Sequence, residues 1–123
     1  MIVLDTSVLV DALSGPRRSA PALRRAIDQG ERLLLPSLVL YEWLRGPRVP
    51  EELAVQEAVV PAADAIPFGV EEARIAADLC KRVERSRGRE LDLAIAACAI
   101  AWNGVLWTLN TEDFSDVPGL RLY

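Results

Sequence analysis

The sequence predicts an α/β fold, in which a central, mostly parallel sheet carries helices on both faces in three layers. Two observations lead to it. Ile2-Val3-Leu4, Leu33-Leu34-Leu35 and Val105–Leu109 are continuous apolar runs without alternation, as in strands buried on both faces. The longer stretches between them repeat their apolar residues at helical spacing, and alternating strands and helices make parallel units. The 123 residues read as one domain, long enough for a core without disulfide or metal staples, and 51% hydrophobic residues exclude a disordered chain.

The first run stops at Asp5. Thr6 and Ser7 follow as capping residues, and Val8, Leu9, Ala12 and Leu13 form the stripe of a helix that Gly15-Pro16 ends. A second helix is predicted from about Ser19 to Gln29, with Leu23, Ala26 and Ile27 buried and Arg24, Arg25 and Asp28 outside. Pro36 closes the run at 33–35, and Ser37 caps a short helix, LVLYEWLRG. Pro50-Glu51-Glu52 opens a fourth helix, with acids in the first turn where the helix dipole favours them. Asp64–Pro67 is a weak edge strand, because its proline cannot donate to a ladder. A long helix is predicted over 70–86 with the stripe Ala73, Ala76, Ala77, Cys80 and Val83. ELDLAIAACAIA, apolar nearly all round, is a buried helix that Asn103-Gly104 closes. Val105–Leu109 reads as a central strand, Asn110–Phe114 as a turn and Leu120–Tyr123 as a short terminal strand.

Composition narrows the chemistry. The chain contains no histidine, which removes imidazole acid–base catalysis and most zinc sites. Cys80 and Cys98 form no CxxC pattern and lie in apolar helical stretches, as reduced core thiols do. Any metal must therefore be held by oxygen. No run is long enough to span a membrane and no signal core is visible, so the expectation is a soluble cytoplasmic protein. The net charge of −4 argues against a general nucleic-acid-coating surface.

Four acids fall where elements end beside one sheet edge. Asp5 follows the first strand, and the turn holding Asn110 and Asp113 follows the last long one. Glu42 and Asp92 lie on helices that can reach the same cleft. Each has a plainer reading: Asp5, Asp92 and Asp113 as helix-end residues, Glu42 as an exposed partner of Arg45. Together they form an all-oxygen cluster, which suits Mg²⁺ or Mn²⁺ and phosphodiester hydrolysis. Lys81 is the only lysine and sits within a helix, so the cluster is expected to be electrostatically frustrated. Arg87 and Arg89 lead into the helix carrying Asp92 and are candidate phosphate contacts. Asp113 is the nearby carboxylate able to complete the set, since the amide of Asn110 brings no charge.

IVLDTSVLVDAL, SLVLYEWLRG, LDLAIAACAIAWNGVLWTLNTEDF and VPGLRLY resemble, in this order, the PIN domain family, and within it the toxin component of VapBC-type toxin–antitoxin systems. The resemblance implies a PIN-like fold and an Mg²⁺- or Mn²⁺-dependent endoribonuclease, so that the phosphates met by Arg87 and Arg89 would be those of RNA. It implies Asp5, Glu42 and Asp92 as the main acids, Asp5 at the metal, and Thr6 or Ser7 in support of water or substrate. Many relatives carry Asp where Asn110 stands here, which puts a second metal site in question. It further implies a homodimer and a small antitoxin bound in a groove near the helix bearing Tyr41, Trp43 and Leu44, which read equally well as core. The alternatives are a PIN nuclease of RNA processing outside toxin–antitoxin systems and a non-catalytic interaction module. A receiver-like phosphoacceptor domain would need a lysine near a late strand end. Strand-DxDxT phosphatases need a second Asp that Asp5-Thr6-Ser7 lacks.

Overall fold

The first apolar run becomes the middle strand. In the computed structural model, which describes residues 1–123, β1 (Ile2–Leu4) pairs in parallel with β2 (Leu33–Leu34) on one side and β3 (Val105–Trp107) on the other. Ile2 stands opposite Leu33 and Val105, and Leu4 opposite Trp107. All three β1 side chains are at most 1% exposed although they alternate in direction, so both faces of the sheet are covered. Each such side chain contributes about 1.5–3 kcal/mol of burial.

The sheet grows at each edge by a single bridge rather than a strand. Ile66 bridges Pro36 and Leu122 bridges Leu106. The strand expected at 64–67 is thus a one-residue contact after a 3-10 turn, because Pro67 ends the donor series. The terminal strand expected at 120–123 is likewise one bridge, which Trp107 fastens by packing against Tyr123 at 5.0 Å.

Six helices fill the crossovers: α1 (Thr6–Leu13), α2 (Ala20–Asp28), α3 (Ser37–Arg45), α4 (Pro50–Val59), α5 (Val70–Arg82) and α6 (Glu90–Ala101). The chain leaves β1 in one direction to reach β2 and returns past it to β3. Right-handed crossovers of opposite direction put their helices on opposite faces, and they create a switch point between β1 and β3.

Several expected faces shift. In α5, Glu72, Ala76 and Leu79 are buried and Ile75 packs on the core, while Ala73 and Ala77 are exposed. Larger apolar side chains gain more by burial, so Leu79 and Ile75 turn the helix away from the alanine stripe. The helix also stops at Arg82, short of 86. Ile27 of α2 is 44% exposed rather than buried. β3 ends at Trp107, leaving Leu109 exposed. α6 matches expectation, with every residue from Leu93 to Ala99 buried. At its end Gly104 is required: a Cβ there would stand 3.1 Å from the Met1 carbonyl oxygen, which accepts the Val105 N–H.

Candidate active site

The strand register fixes the first acid. Asp5 follows β1 where Thr108 follows β3, and the Asp5 N–H donates to the Trp107 carbonyl at 2.9 Å. Asp5 occupies the N-cap position of α1 with extended backbone, so Thr6 and Ser7 are the first helical residues rather than its caps. Its side chain makes no capping bond. Instead Oδ2 accepts from Ser7 Oγ at 2.8 Å and from Thr108 Oγ1 at 2.7 Å. Asp5 is 5% exposed, yet Oδ1 accepts no hydrogen bond and keeps a solvent-facing edge.

The hydroxyls carry the network outward. Ser7 Oγ accepts the Leu109 N–H at 3.0 Å, and Thr108 Oγ1 accepts the Asn110 N–H at 3.0 Å. Thr108 is buried and shapes both Asp5 and the turn beyond it, a role sequence reading missed. A hydroxyl ending an apolar strand in register with Asp5 was the available signal. Thr6 Oγ1 donates to Glu42 Oε1 at 2.5 Å, tying α1 to α3. Arg45 approaches Glu42 at 3.9 Å, an exposed pair of small energetic consequence.

Asp92 lies half-buried in the first turn of α6. Burial lifts its pKa above the ordinary aspartate value, and repulsion from Asp5, then Asp113, then Glu42 adds to this, with Arg89 opposing. Asp92 therefore feels the charges of the other three predicted acids, Asp5, Asp113 and Glu42. Arg89 near Asp92 and Arg45 near Glu42 bring the positive charge that no lysine provides there.

Asn110 and Asp113 are exposed at the start and third residue of a 3-10 turn, Thr111–Phe114, anchored by buried Phe114. The Asp113 N–H donates to the Asn110 carbonyl at 3.0 Å, and both residues line a cavity of about 290 Å³.

The two arginines part company. Arg87 is exposed and makes no ion pair. The Arg89 guanidinium, expected to meet RNA, is occupied by Asp116, which it holds at 2.6 and 2.9 Å, and by the carbonyls of Asp113 and Arg85.

Trp43 is fully buried, so it belongs to the core, with Arg48 stacked 4.1 Å above its ring, whereas Tyr41 and Leu44 are exposed. The apolar groove lies elsewhere. Ala12, Leu13, Leu23, Ile27, Val55 and Val59 line about 390 Å³ between α1, α2 and α4, with Arg17, Arg24 and Asp28 also on its lining. Both cysteines are reduced, and burial pushes the Cys98 thiol up to about 12. No helix is long and apolar enough to cross a membrane.

No three acidic, histidine or cysteine side chains stand ready-made as a metal cage. The donor set nevertheless fits a hard divalent cation. It is all oxygen, its most buried member has one unpartnered oxygen, and Asp92 feels the negative charge of the other three.

The family model described as PIN domain matches residues 2–120. Ribonuclease VapC19 of Mycobacterium tuberculosis is 36% identical over 123 residues, covering 98% of this chain and 98% of that protein. Ribonuclease VapC of Rickettsia bellii is 33% identical over 130 residues, covering 98% and 93%. Among solved structures, the fold is similar to VapBC2 from Rickettsia felis bound to a promoter DNA fragment, with a TM-score of 0.77, 24% identity, and 100% and 98% of the two chains covered. It is also similar to a toxin–antitoxin complex from Klebsiella pneumoniae, with a TM-score of 0.74, 23% identity, and 98% and 95% covered.

Proposed function

This chain belongs to the PIN domain family, and from that premise we propose that it is a VapC-type toxin, an endoribonuclease that hydrolyses RNA phosphodiester bonds and is neutralised by a small antitoxin. The observation that carries the reading is an Asp5 carboxylate at the β1–β3 switch point with one oxygen unclaimed, beside an Asp92 that feels the charges of Asp5, Asp113 and Glu42. Asp5, Asp92 and Asp113 are the residues that would hold Mg²⁺ or Mn²⁺, with Glu42 completing the catalytic acids. When bound, the cation supplies activation of water and neutralises charge on the phosphodiester.

The chain's own residues do the rest. Ser7 and Thr108 fix the Asp5 carboxylate through Oδ2 and turn Oδ1 to the cleft. Thr6 holds Glu42 on α3 against α1, and Asn110 offers an amide oxygen at the cavity rim. Burial and its acidic neighbours raise the pKa of Asp92, so a cation held there competes with protons as pH falls. Exposed Arg87 meets the substrate backbone near that helix.

The antitoxin reading rests on the family. The α1–α2–α4 groove is lined mainly by apolar side chains, whereas Trp43 is fully buried, so an apolar antitoxin segment is assigned to that groove rather than beside Trp43. Exposed Tyr41 and Leu44 on α3 and Val70 on α5 offer apolar surface for a second copy in a homodimer. The compartment is cytoplasmic, where RNA is available.

The test incubates the purified protein with total RNA, with Mg²⁺, Mn²⁺ or EDTA, and maps the cut ends. Cleavage that needs the cation and stops in Asp5→Asn supports the reading. Undiminished cleavage in EDTA, or by Asp5→Asn, defeats it. Relief of a growth defect by a co-expressed antitoxin then separates a toxin from a nuclease of RNA processing.

A further inference from the structure

Arg89 stands at the N-cap position of α6, three residues before Asp92. One guanidinium reaches four acceptors. Nη1 donates to Asp116 Oδ2 at 2.9 Å and to the Arg85 carbonyl at 2.8 Å, and Nη2 donates to Asp116 Oδ1 at 2.6 Å and to the Asp113 carbonyl at 2.9 Å. Its side chain is 20% exposed, whereas Arg82 and Arg45, in looser pairs, are 56% and 61% exposed. This is a bidentate fork seated against a second segment, not an arginine reaching into solvent.

The segments it joins carry two of the acids. Asp92 follows on α6, and Asp113 lies in an exposed 3-10 turn whose own side chain makes no hydrogen bond or ion pair. Beyond Asp113, the chain is tied back at Asp116. We propose that Arg89 is a positioning residue: by gripping Asp116 and the Asp113 carbonyl together, it sets the separation of Asp92 and Asp113 and so the seat of a divalent cation between them. Asp116, which nothing in the sequence distinguishes, pairs with the guanidinium and so lessens the repulsion a cation beside the clamp would meet. The arrangement resembles the outer-sphere partners that orient ligands in metal sites. The proposal rests on the reading of Asp92 and Asp113 as members of the metal site.

Two other roles for Arg89 predict different results. As a bare counter-charge to the acids, its loss would tighten cation binding. As an RNA contact, its loss would leave cation binding alone. The experiment titrates Mn²⁺ into the wild type, Arg89→Gln, Arg89→Lys and Asp116→Asn by calorimetry, with melting curves in chelator alongside. The clamp predicts about 10-fold weaker Mn²⁺ binding in Arg89→Gln and Asp116→Asn. Arg89→Lys keeps the charge and loses the fork, and should fall between them and the wild type. Equal or tighter binding by Arg89→Gln overturns the clamp, and so does a wild-type affinity in Arg89→Lys should Arg89→Gln prove unfolded. A wild type that binds no Mn²⁺ instead removes the reading of the site itself, and this proposal with it.

Discussion

Asp5 and Asp113 serve one candidate site from opposite kinds of ground. Asp5 is 5% exposed at a strand end, and its carboxylate is gripped directly by two hydroxyls from α1 and the β3 end. Asp113 is exposed on a 3-10 turn, and only its backbone is held, by Asn110 and by Arg89 reaching across from α6. The first corner is built by sheet register, whose geometry cannot slip by one residue without turning β1 inside out. The second is held through its backbone alone, so the Asp113 carboxylate, which makes no hydrogen bond or ion pair, is free to turn. A site with one rigid and one adjustable acid can admit a cation without paying the full repulsion of four fixed carboxylates beforehand.

The largest effect should come from the rigid corner. Asp5→Asn should lose more than about 100-fold in RNA cleavage together with the Mn²⁺-induced rise in melting temperature, while circular dichroism stays that of the folded protein. Retained cleavage would falsify the central role of this corner. At the adjustable corner, Asp113→Ala should lose about 10-fold in Mn²⁺ affinity and rate, and Asn110→Ala less. The reverse order places the fourth ligand at Asn110 and leaves Asp113 a turn residue.

Thr108→Val tests what connects the corners. It keeps the shape but removes the donor to Asp5 and the acceptor of the Asn110 N–H, so it should cost about 1–3 kcal/mol in chemical denaturation. Thr108→Ser should restore most of it, and a Val variant of wild-type stability would show the network to be incidental. Arg87→Ala should reduce the salt slope of RNA binding by about 1, leaving Mn²⁺ titrations unchanged.

The smallest effect concerns Asp92, whose pKa the fold raises through burial and the acids around it. A carboxyl with a raised pKa favours the folded state fully below its unfolded value, and loses that contribution as pH rises through the raised value. Metal-free Asp92→Asn should therefore melt about 2 °C above wild type at neutral pH, with the gap closing below about pH 4. Saturating Mn²⁺ should reverse the order, because only the wild type gains the ligand. A gap independent of pH would mean that the neighbouring charges do not bear on Asp92.

Much of the candidate site was legible because strand ends are legible. Continuous apolar runs at Ile2–Leu4 and Val105–Trp107 imply parallel strands, and parallel strands bring their carboxyl ends to one edge. Asp5, Asn110 and Asp113 follow from that alone. Thr108 was hidden because its importance depends on being one residue past Trp107 in register with Asp5, a pairing across more than a hundred residues. The face of α5 was misjudged for a different reason. Its alanines and its larger apolar residues offer two overlapping stripes, and only packing against α6 selects the one with Ile75 and Leu79.

By itself, then, the sequence determined the three paired strands, the buried α6, the absence of any histidine and the order in which acids meet the sheet edge, since each is set by local pattern and composition. Tertiary structure decided which oxygen of Asp5 stays unclaimed, that Trp43 is core, that the apolar groove lies between α1, α2 and α4, and that Arg89 closes on Asp116 rather than on solvent. Those outcomes depend on distances between groups far apart in the chain. Such distances are fixed only when the whole core has packed, because a side chain's partner is chosen by what burial brings within 3 Å and not by what precedes it.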